Sequence, residues 1–275
     1  VEMKGITKRF PGVLALDNVD LQVLPGEVHV LLGENGAGKS TLIKILSGAY
    51  SLDEGEIFIQ GQPVEIHSPQ DSIDEGLRFI YQELNLVREL DIARNIFLGV
   101  EPVAAFGSLV DQKKLYQDAA DLLERFHIDL DPRDVVGKLS VTQQKLVEIA
   151  RALTTQAKVI ILDEPTDVLE DQARQDLFDV IDQLKKENDV GFIYISHRYA
   201  EVYELGDRVT ILRDGKNVGT FKIEDLTYDT MIEKMIGGEI RKQYPKLPEP
   251  NAENALKVEG LSRHPLLTDI SLNIR

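Results

Sequence analysis

The stretch Gly33-Glu34-Asn35-Gly36-Ala37-Gly38-Lys39-Ser40-Thr41 fits the pattern G-x-x-x-x-G-K-[ST], and its surroundings allow that pattern to work. Upstream, Glu27-Val28-His29-Val30-Leu31-Leu32 reads as a strand; downstream, Leu42, Ile45 and Leu46 recur at helical spacing. Strand, glycine-rich loop and helix, in that order, bring backbone N–H groups together around a phosphate. The helix adds its positive N-terminal end, Lys39 is placed to reach the outer phosphates, and the Ser40 hydroxyl is placed to hold a magnesium ion. Gly33, Gly36 and Gly38 are expected to permit a close backbone approach that side chains would block.

Around this loop the first 80 or so residues alternate short β-like runs with Gly and Asp turns, at Val19 to Val23, Val28 to Leu32, Glu56 to Gln60 and Arg78 to Tyr81. From Asp91 to Leu153 the period changes. Leu115, Ala119, Leu122, Leu123 and Phe126 recur at helical intervals, as do Leu146, Ile149, Ala150 and Leu153, so a helical lobe at about 84–155 is expected. Strand–helix alternation then resumes. Val159-Ile160-Ile161-Leu162 reads as a central parallel strand, Leu177, Phe178, Val180, Ile181 and Leu184 as one face of a covering helix, and Val190 to Ser196 as the next strand. Arg208 to Lys222 reads as a hairpin turned at Asp214-Gly215-Lys216. The fold class is therefore α/β, with a mostly parallel core sheet, an antiparallel β portion and an inserted helical lobe.

Residues 237–255 combine Gly, three prolines and charges, the composition of a linker, which is expected at 241–255. Beyond the linker the chain echoes its own beginning. Gly260-Leu261-Ser262-Arg263 matches Gly5-Ile6-Thr7-Lys8, and the run Leu267 to Ile274 matches Leu16 to Val23, with four residues fewer between the blocks. We therefore expect a first domain at 1–240 and, from 256, the first strands of a second, related domain in a longer protein.

Composition narrows the function classes. With 43% hydrophobic residues, 275 residues can bury one large core or two modest ones. The net charge of −16, from 31 basic and 47 acidic residues, disfavours a nucleic-acid partner over any broad surface but allows a local anion site. There is no cysteine for disulfides or thiolate metal sites. No run is apolar for long enough to span a bilayer, and no signal peptide is expected, so a membrane connection would come through a partner.

The ends of the two central strands carry the remaining chemistry. In an open α/β sheet ligands gather at the carboxyl ends of strands, which brings Asp163 and Glu164 beside the phosphate loop. Asp163 can hold magnesium through water, and Glu164 can orient or polarise an attacking water. His197, after the next strand, can donate to a developing phosphate charge or hold the glutamate and water in place. Gln82, after the strand Arg78 to Tyr81, offers an amide oxygen as a further metal ligand.

Taken together, these features resemble the nucleotide-binding subunit of ABC transporters over residues 1 to 240, a P-loop NTPase of ABC ATPase type. The resemblance implies ATP and Mg²⁺ as ligands, Phe10 as the aromatic stacking on adenine, Gln82 as the Q-loop, Val159 to Asp163 as the Walker B strand, Glu164 as general base and His197 as the switch histidine. Leu139-Ser140-Val141-Thr142-Gln143 resembles the family signature, which acts on phosphate at a facing site, but Thr142 stands where glycine is usual. The D-loop also departs from pattern, with Asp167 and Glu170 in Pro165 to Glu170.

A narrower resemblance, carried by the run Lys8 to Gly48, by Ile80 to Val87, by Asn95 to Gly99 and by Leu139 to Leu153, is to sugar-import ATPases of the ribose, galactose and xylose group. It implies ATP hydrolysis coupled to monosaccharide import, with a second ABC ATPase domain in the same chain, membrane permease subunits and, indirectly, a sugar-binding protein as partners. The place implied is peripheral, on the cytoplasmic face of the inner membrane, with a permease contact at Glu83 to Gly99. A tandem ABC protein of the ribosome and a nucleotide-binding regulatory domain are the alternatives. Thr142 is expected to weaken the site that its signature serves; alternatively, its hydroxyl caps the following helix.

Overall fold

The computed structural model describes residues 1–274 apart from 82–83, 105–108, 127, 155–156, 167–168, 170, 197 and 239–255. Two compact units result, Val1–Gly238 and Glu239–Arg275.

The first unit opens with β1 (Glu2–Phe10), β2 (Val13–Gln22), β3 (Val28–Leu32), α1 (Lys39–Leu46), β4 (Glu54–Ile59), β5 (Gln62–Val64), α2 (Pro69–Asp74) and β6 (Leu77–Ile80). The helical lobe comes next, as α3 (Ile92–Ile96), α4 (Gln112–Arg125) and α5 (Val141–Ala152). The chain then returns through β7 (Val159–Asp163), α6 (Asp171–Asn188), β8 (Gly191–Ile195), α7 (Tyr199–Leu205), β9 (Arg208–Arg213), β10 (Lys216–Lys222) and α8 (Tyr228–Ile236).

Its larger sheet has the order β10-β9-β3-β8-β7-β6, parallel from β9 to β6 with β10 antiparallel at the edge. A second sheet, β2-β1-β4-β5, is antiparallel throughout. The period of two along the central strands divides the core. Val30, Leu32, Ile160, Leu162, Phe192 and Tyr194 join α5, α6, α7 and α8 on one face, while Leu31, Ile161, Ile193 and Ile195 join α1 and the antiparallel sheet on the other. Both faces are covered, so β3 and β8 are buried along their whole length.

β2 starts at Val13, well before the expected Val19. Register irregularities along β1–β2 and the left-handed Asn18 break the alternation by which a strand is read from sequence. The β9–β10 turn is the two-residue loop Asp214-Gly215, both at positive φ as the tight hairpin requires, with Lys216 already paired in β10.

The second unit contains one hairpin, β11 (Leu256–Arg263) with β12 (Leu267–Ile274). It repeats the irregularities of β1–β2. Met3↔Leu21, Ile6↔Val19 and Lys8↔Leu16 recur as Val258↔Leu272, Leu261↔Ile270 and Arg263↔Leu267. Gly5 and Gly260 both have φ 61°, and Asn18 and Asp269 have φ 53° and 52°. The Asn18 N–H donates to Thr7 Oγ1 and the Asp269 N–H donates to Ser262 Oγ. In β1–β2 this geometry turns Met3, Ile6, Leu16 and Val19 into a buried face against α1; in β11–β12 the corresponding Leu261, Leu267 and Ile270 are exposed.

Candidate functional site

β3 delivers the chain into the loop at Gly33, and the close quarters there explain two of its glycines. A Cβ on Gly33 would lie 2.5 Å from the Leu212 carbonyl oxygen at the end of β9. One on Gly38 would lie 2.7 Å from Leu16 Cδ2, at a residue held at φ 105° where α1 begins. Gly36 differs from the expectation of crowding: its φ of 86° demands glycine, but the space beside it is open.

Lys39 is buried, and its Nζ donates to the carbonyl oxygens of Gly33 at 2.7 Å and Glu34 at 3.1 Å. Burial lowers its pKa, and the nearby carboxylates of Glu164 and Asp163 oppose that shift. The ammonium is thus already aimed across the loop mouth.

A cavity of about 400 Å³ lies at this mouth. Asn35, Gly36, Gly38, Lys39, Ser40 and Thr41 form its floor, and Asp163 and Glu164 close it from the end of β7. Glu164 has φ 47°, rare for a side chain without a special role in a turn, and its N–H donates to the Ile195 carbonyl at 3.0 Å. The two parallel strands are therefore cross-tied where the acidic residues leave the sheet. The Ser40 hydroxyl and the Asp163 carboxylate, which both line this cavity, are hard oxygen donors, a set that suits a magnesium ion completing its shell with water and phosphate oxygens. Among the described residues no cluster of three His, Cys, Asp or Glu forms an all-protein metal cage.

Other expected site residues lie elsewhere. Gln82 and His197 fall outside the described residues, as does Asp167 of the D-loop. Phe10 ends β1 and packs edge-on against Tyr50 at 5.4 Å, outside the cavity lining. The apolar wall is supplied instead by Val13, Leu14 and Ala15, of which Val13 is 60% exposed. Leu139 to Gln143 sit at the start of α5, away from this cavity. There Ser140 is the N-cap, in a reciprocal box with Gln143. Thr142 is therefore not the cap, which overturns that alternative for its hydroxyl.

Sequence reading missed that apolar wall, and it missed the β9–β10 turn as a contributor to the cavity. Asp214 and Gly215 line it because the β9–β10 turn folds back, with the Gly215 N–H donating to the Ala37 carbonyl. The D-G turn was legible as a hairpin; its approach to the loop depends on strand order.

The family model described as ABC transporter matches residues 16–167. The ribose import ATP-binding protein RbsA 1 of Rubrobacter xylanophilus is 50% identical over all of this chain and 54% of its own length. The ribose import ATP-binding protein RbsA of Geobacillus kaustophilus is 42% identical over all of this chain and 56% of its own. The chain thus spans about half the length of the curated relatives it matches. Among solved structures, the ADP conformation of MJ1267, an ATP-binding cassette of an ABC transporter, aligns with a TM-score of 0.74 at 26% identity, covering 86% of this chain and 98% of that one. The family match runs from β2 through the phosphate loop to the acidic end of β7 and takes in more than half of the residues, so the chain belongs to the ABC transporter family.

Proposed function

We propose that this chain binds ATP with Mg²⁺ and hydrolyses it, as the first of two ATPase domains in a protein that powers monosaccharide import. The observation that carries this reading is the convergence of Lys39, Ser40, Asp163 and Glu164 on one cavity at the carboxyl edge of the parallel sheet. The loop amides and Lys39 hold the outer phosphates. Ser40 and Asp163 hold the magnesium ion, which when bound neutralises charge on the phosphate oxygens. Glu164 takes up the proton of the attacking water, and the strained backbone of that residue fixes where its carboxylate starts. In sequence, Gln82 and His197 follow β6 and β8, and the roles assigned to them are those that the family resemblance implies.

The tandem reading is supported by hairpin β11–β12, which reproduces the register and left-handed positions of β1–β2 and whose apolar face needs the rest of a domain to cover it. The partner reading is supported by a groove of about 530 Å³ between the end of β6 and the helical lobe, with Tyr81, Ile96, Leu98 and Val100 on its walls. We assign it to a cytoplasmic loop of the permease. Among the described residues no helix is long and apolar enough to cross a membrane, in keeping with a peripheral subunit. The net charge of −16 disfavours the ribosomal alternative.

The test is calorimetry with ATP and Mg²⁺ beside a turnover assay on the full-length protein, then sugar uptake in vesicles holding its permease. Saturable binding with turnover and uptake is expected. Binding without any turnover would favour the regulatory alternative.

A further inference from the structure

Behind the cavity edge lies a buried carboxylate that the hydrolytic chemistry leaves unused. Glu201, in the first turn of α7, has no accessible surface. Its Oε1 accepts from Thr166 Oγ1 at 2.7 Å, and its Oε2 accepts from Tyr194 OH and from Ser196 Oγ, each at 2.8 Å. Arg198 reaches Oε1 at 3.5 Å, and its N–H donates to Ser196 Oγ at 2.9 Å. Burial and the Glu201 charge push the Tyr194 phenol well above its ordinary pKa, so it stays a donor.

These partners come from separate pieces of chain. Thr166 is two residues beyond Glu164, and Ser196 and Arg198 flank position 197. A buried carboxylate costs several kcal/mol in desolvation, a cost that an apolar side chain in the same place would avoid. What an apolar side chain cannot do is hold three hydroxyls in fixed directions. Glu164, at φ 47°, is a residue whose backbone relaxes unless its surroundings over-determine it. One restraint is its own N–H on Ile195, and a further one is the anchoring of Thr166 downstream.

We infer that Glu201 is a positioning residue for ATP hydrolysis: it ties the chain leaving β7 beyond Glu164 to the chain leaving β8 at Ser196 and Arg198, so that Glu164 meets the cavity from one rigid edge. This rests on the ATPase reading of the cavity. Glu201 touches no substrate. It acts through Thr166, Ser196 and Arg198, which set the directions of their neighbours in sequence.

The experiment compares the full-length protein with Glu201→Gln, Ser196→Ala and Ser196→Thr, measuring kcat, KM, ATP affinity by calorimetry and thermal midpoint. Glu201→Gln should lower kcat by about ten- to a hundred-fold, the range that a misplacement near 1 Å produces. KM and ATP affinity should stay within about twofold, because the phosphate loop is untouched. Ser196→Ala should lower kcat in the same sense, and Ser196→Thr, which keeps the hydroxyl, should restore it. Parent kcat in a folded Glu201→Gln protein would overturn the inference. So would a parallel fall of kcat, affinity and midpoint, which marks a merely structural role. If Glu201→Gln fails to fold, the Ser196 pair decides: equal kcat in the alanine and threonine variants overturns the inference. Failure of the unmodified protein to bind or turn over ATP would instead refute the ATPase reading itself.

Discussion

At the scale of single residues, the site separates holding nucleotide from breaking it. Lys39 lies buried across the loop mouth with its Nζ on the backbone carbonyls of Gly33 and Glu34, so a phosphate can replace them without rebuilding the loop. Lys39→Ala should therefore weaken ATP binding by roughly ten-fold or more, as expected for the loss of a charge-assisted contact. Glu164→Gln is nearly isosteric and keeps the N–H bond to Ile195, so affinity should survive while turnover falls about a hundred-fold or more. Calorimetry and a turnover assay on the two variants read this separation; wild-type turnover in Glu164→Gln would remove the general-base role. Gly38→Ala would force a side chain to φ 105° and against Leu16 Cδ2, and should cost about 1–3 kcal/mol by denaturant unfolding. An unchanged midpoint would mean that the loop relaxes freely there.

At the scale of elements, small ties decide how the pieces meet. Asp53, just before β4, accepts from Lys8 Nζ at 2.9 Å and from the Arg9 N–H at 2.6 Å, tying the start of β4 to the end of its neighbour β1 that carries Phe10. The Lys8 bond, then the Arg9 bond, hold its pKa below the ordinary aspartate value. A depressed folded pKa means stability that is present above the unfolded value and is lost as pH falls through the lower folded one. Asp53→Asn should accordingly lower stability slightly at neutral pH, with the deficit closing as pH falls, so that part of the acid limb of a stability–pH curve flattens. An unaltered acid limb would show the tie to be idle.

The groove between β6 and the helical lobe makes a second claim at this scale. The chain has no cysteine, so single cysteines at the groove positions Tyr81, Leu98 and Val100 give a clean crosslinking background. Pairs with permease cytoplasmic loops should form there and not from the exposed Val13, on the nucleotide side. If no groove position crosslinks while other permease contacts do, the groove has a different occupant.

For the whole molecule, the question is whether two composite sites work equally. Ser140 already caps α5, so Thr142 brings a β-branched side chain to the signature without a capping role to justify it. Hairpin β11–β12 is also shorter at its tip than β1–β2, lacking the interval that in the first unit contains Phe10, Pro11, Gly12 and Val13. On the tandem reading proposed above, both departures should weaken the site formed by this signature and a second domain's phosphate loop. Glu164→Gln should abolish transport, while the matching substitution in a second domain should leave much of it. Equal losses would rule out unequal sites.

The sequence by itself determined whatever depends on near neighbours. The phosphate loop, the buried strand before it, the acidic end of β7 and the D-G turn were legible because each is a local pattern of spacing, charge or backbone freedom. The extent of β2 was not legible, because its irregular pairing with β1 breaks the period by which a strand is read. Only the tertiary structure decided which of these patterns share a cavity. The order β9-β3-β8-β7 brings the Asp214-Gly215 turn and Glu164 to the same edge. The pairing of β7 with β8 brings Thr166 to Glu201, and Phe10 of the other sheet packs on Tyr50. Those meetings join residues far apart along the chain, and strand order, set by burial of both faces of the sheet, is not a property of any short stretch.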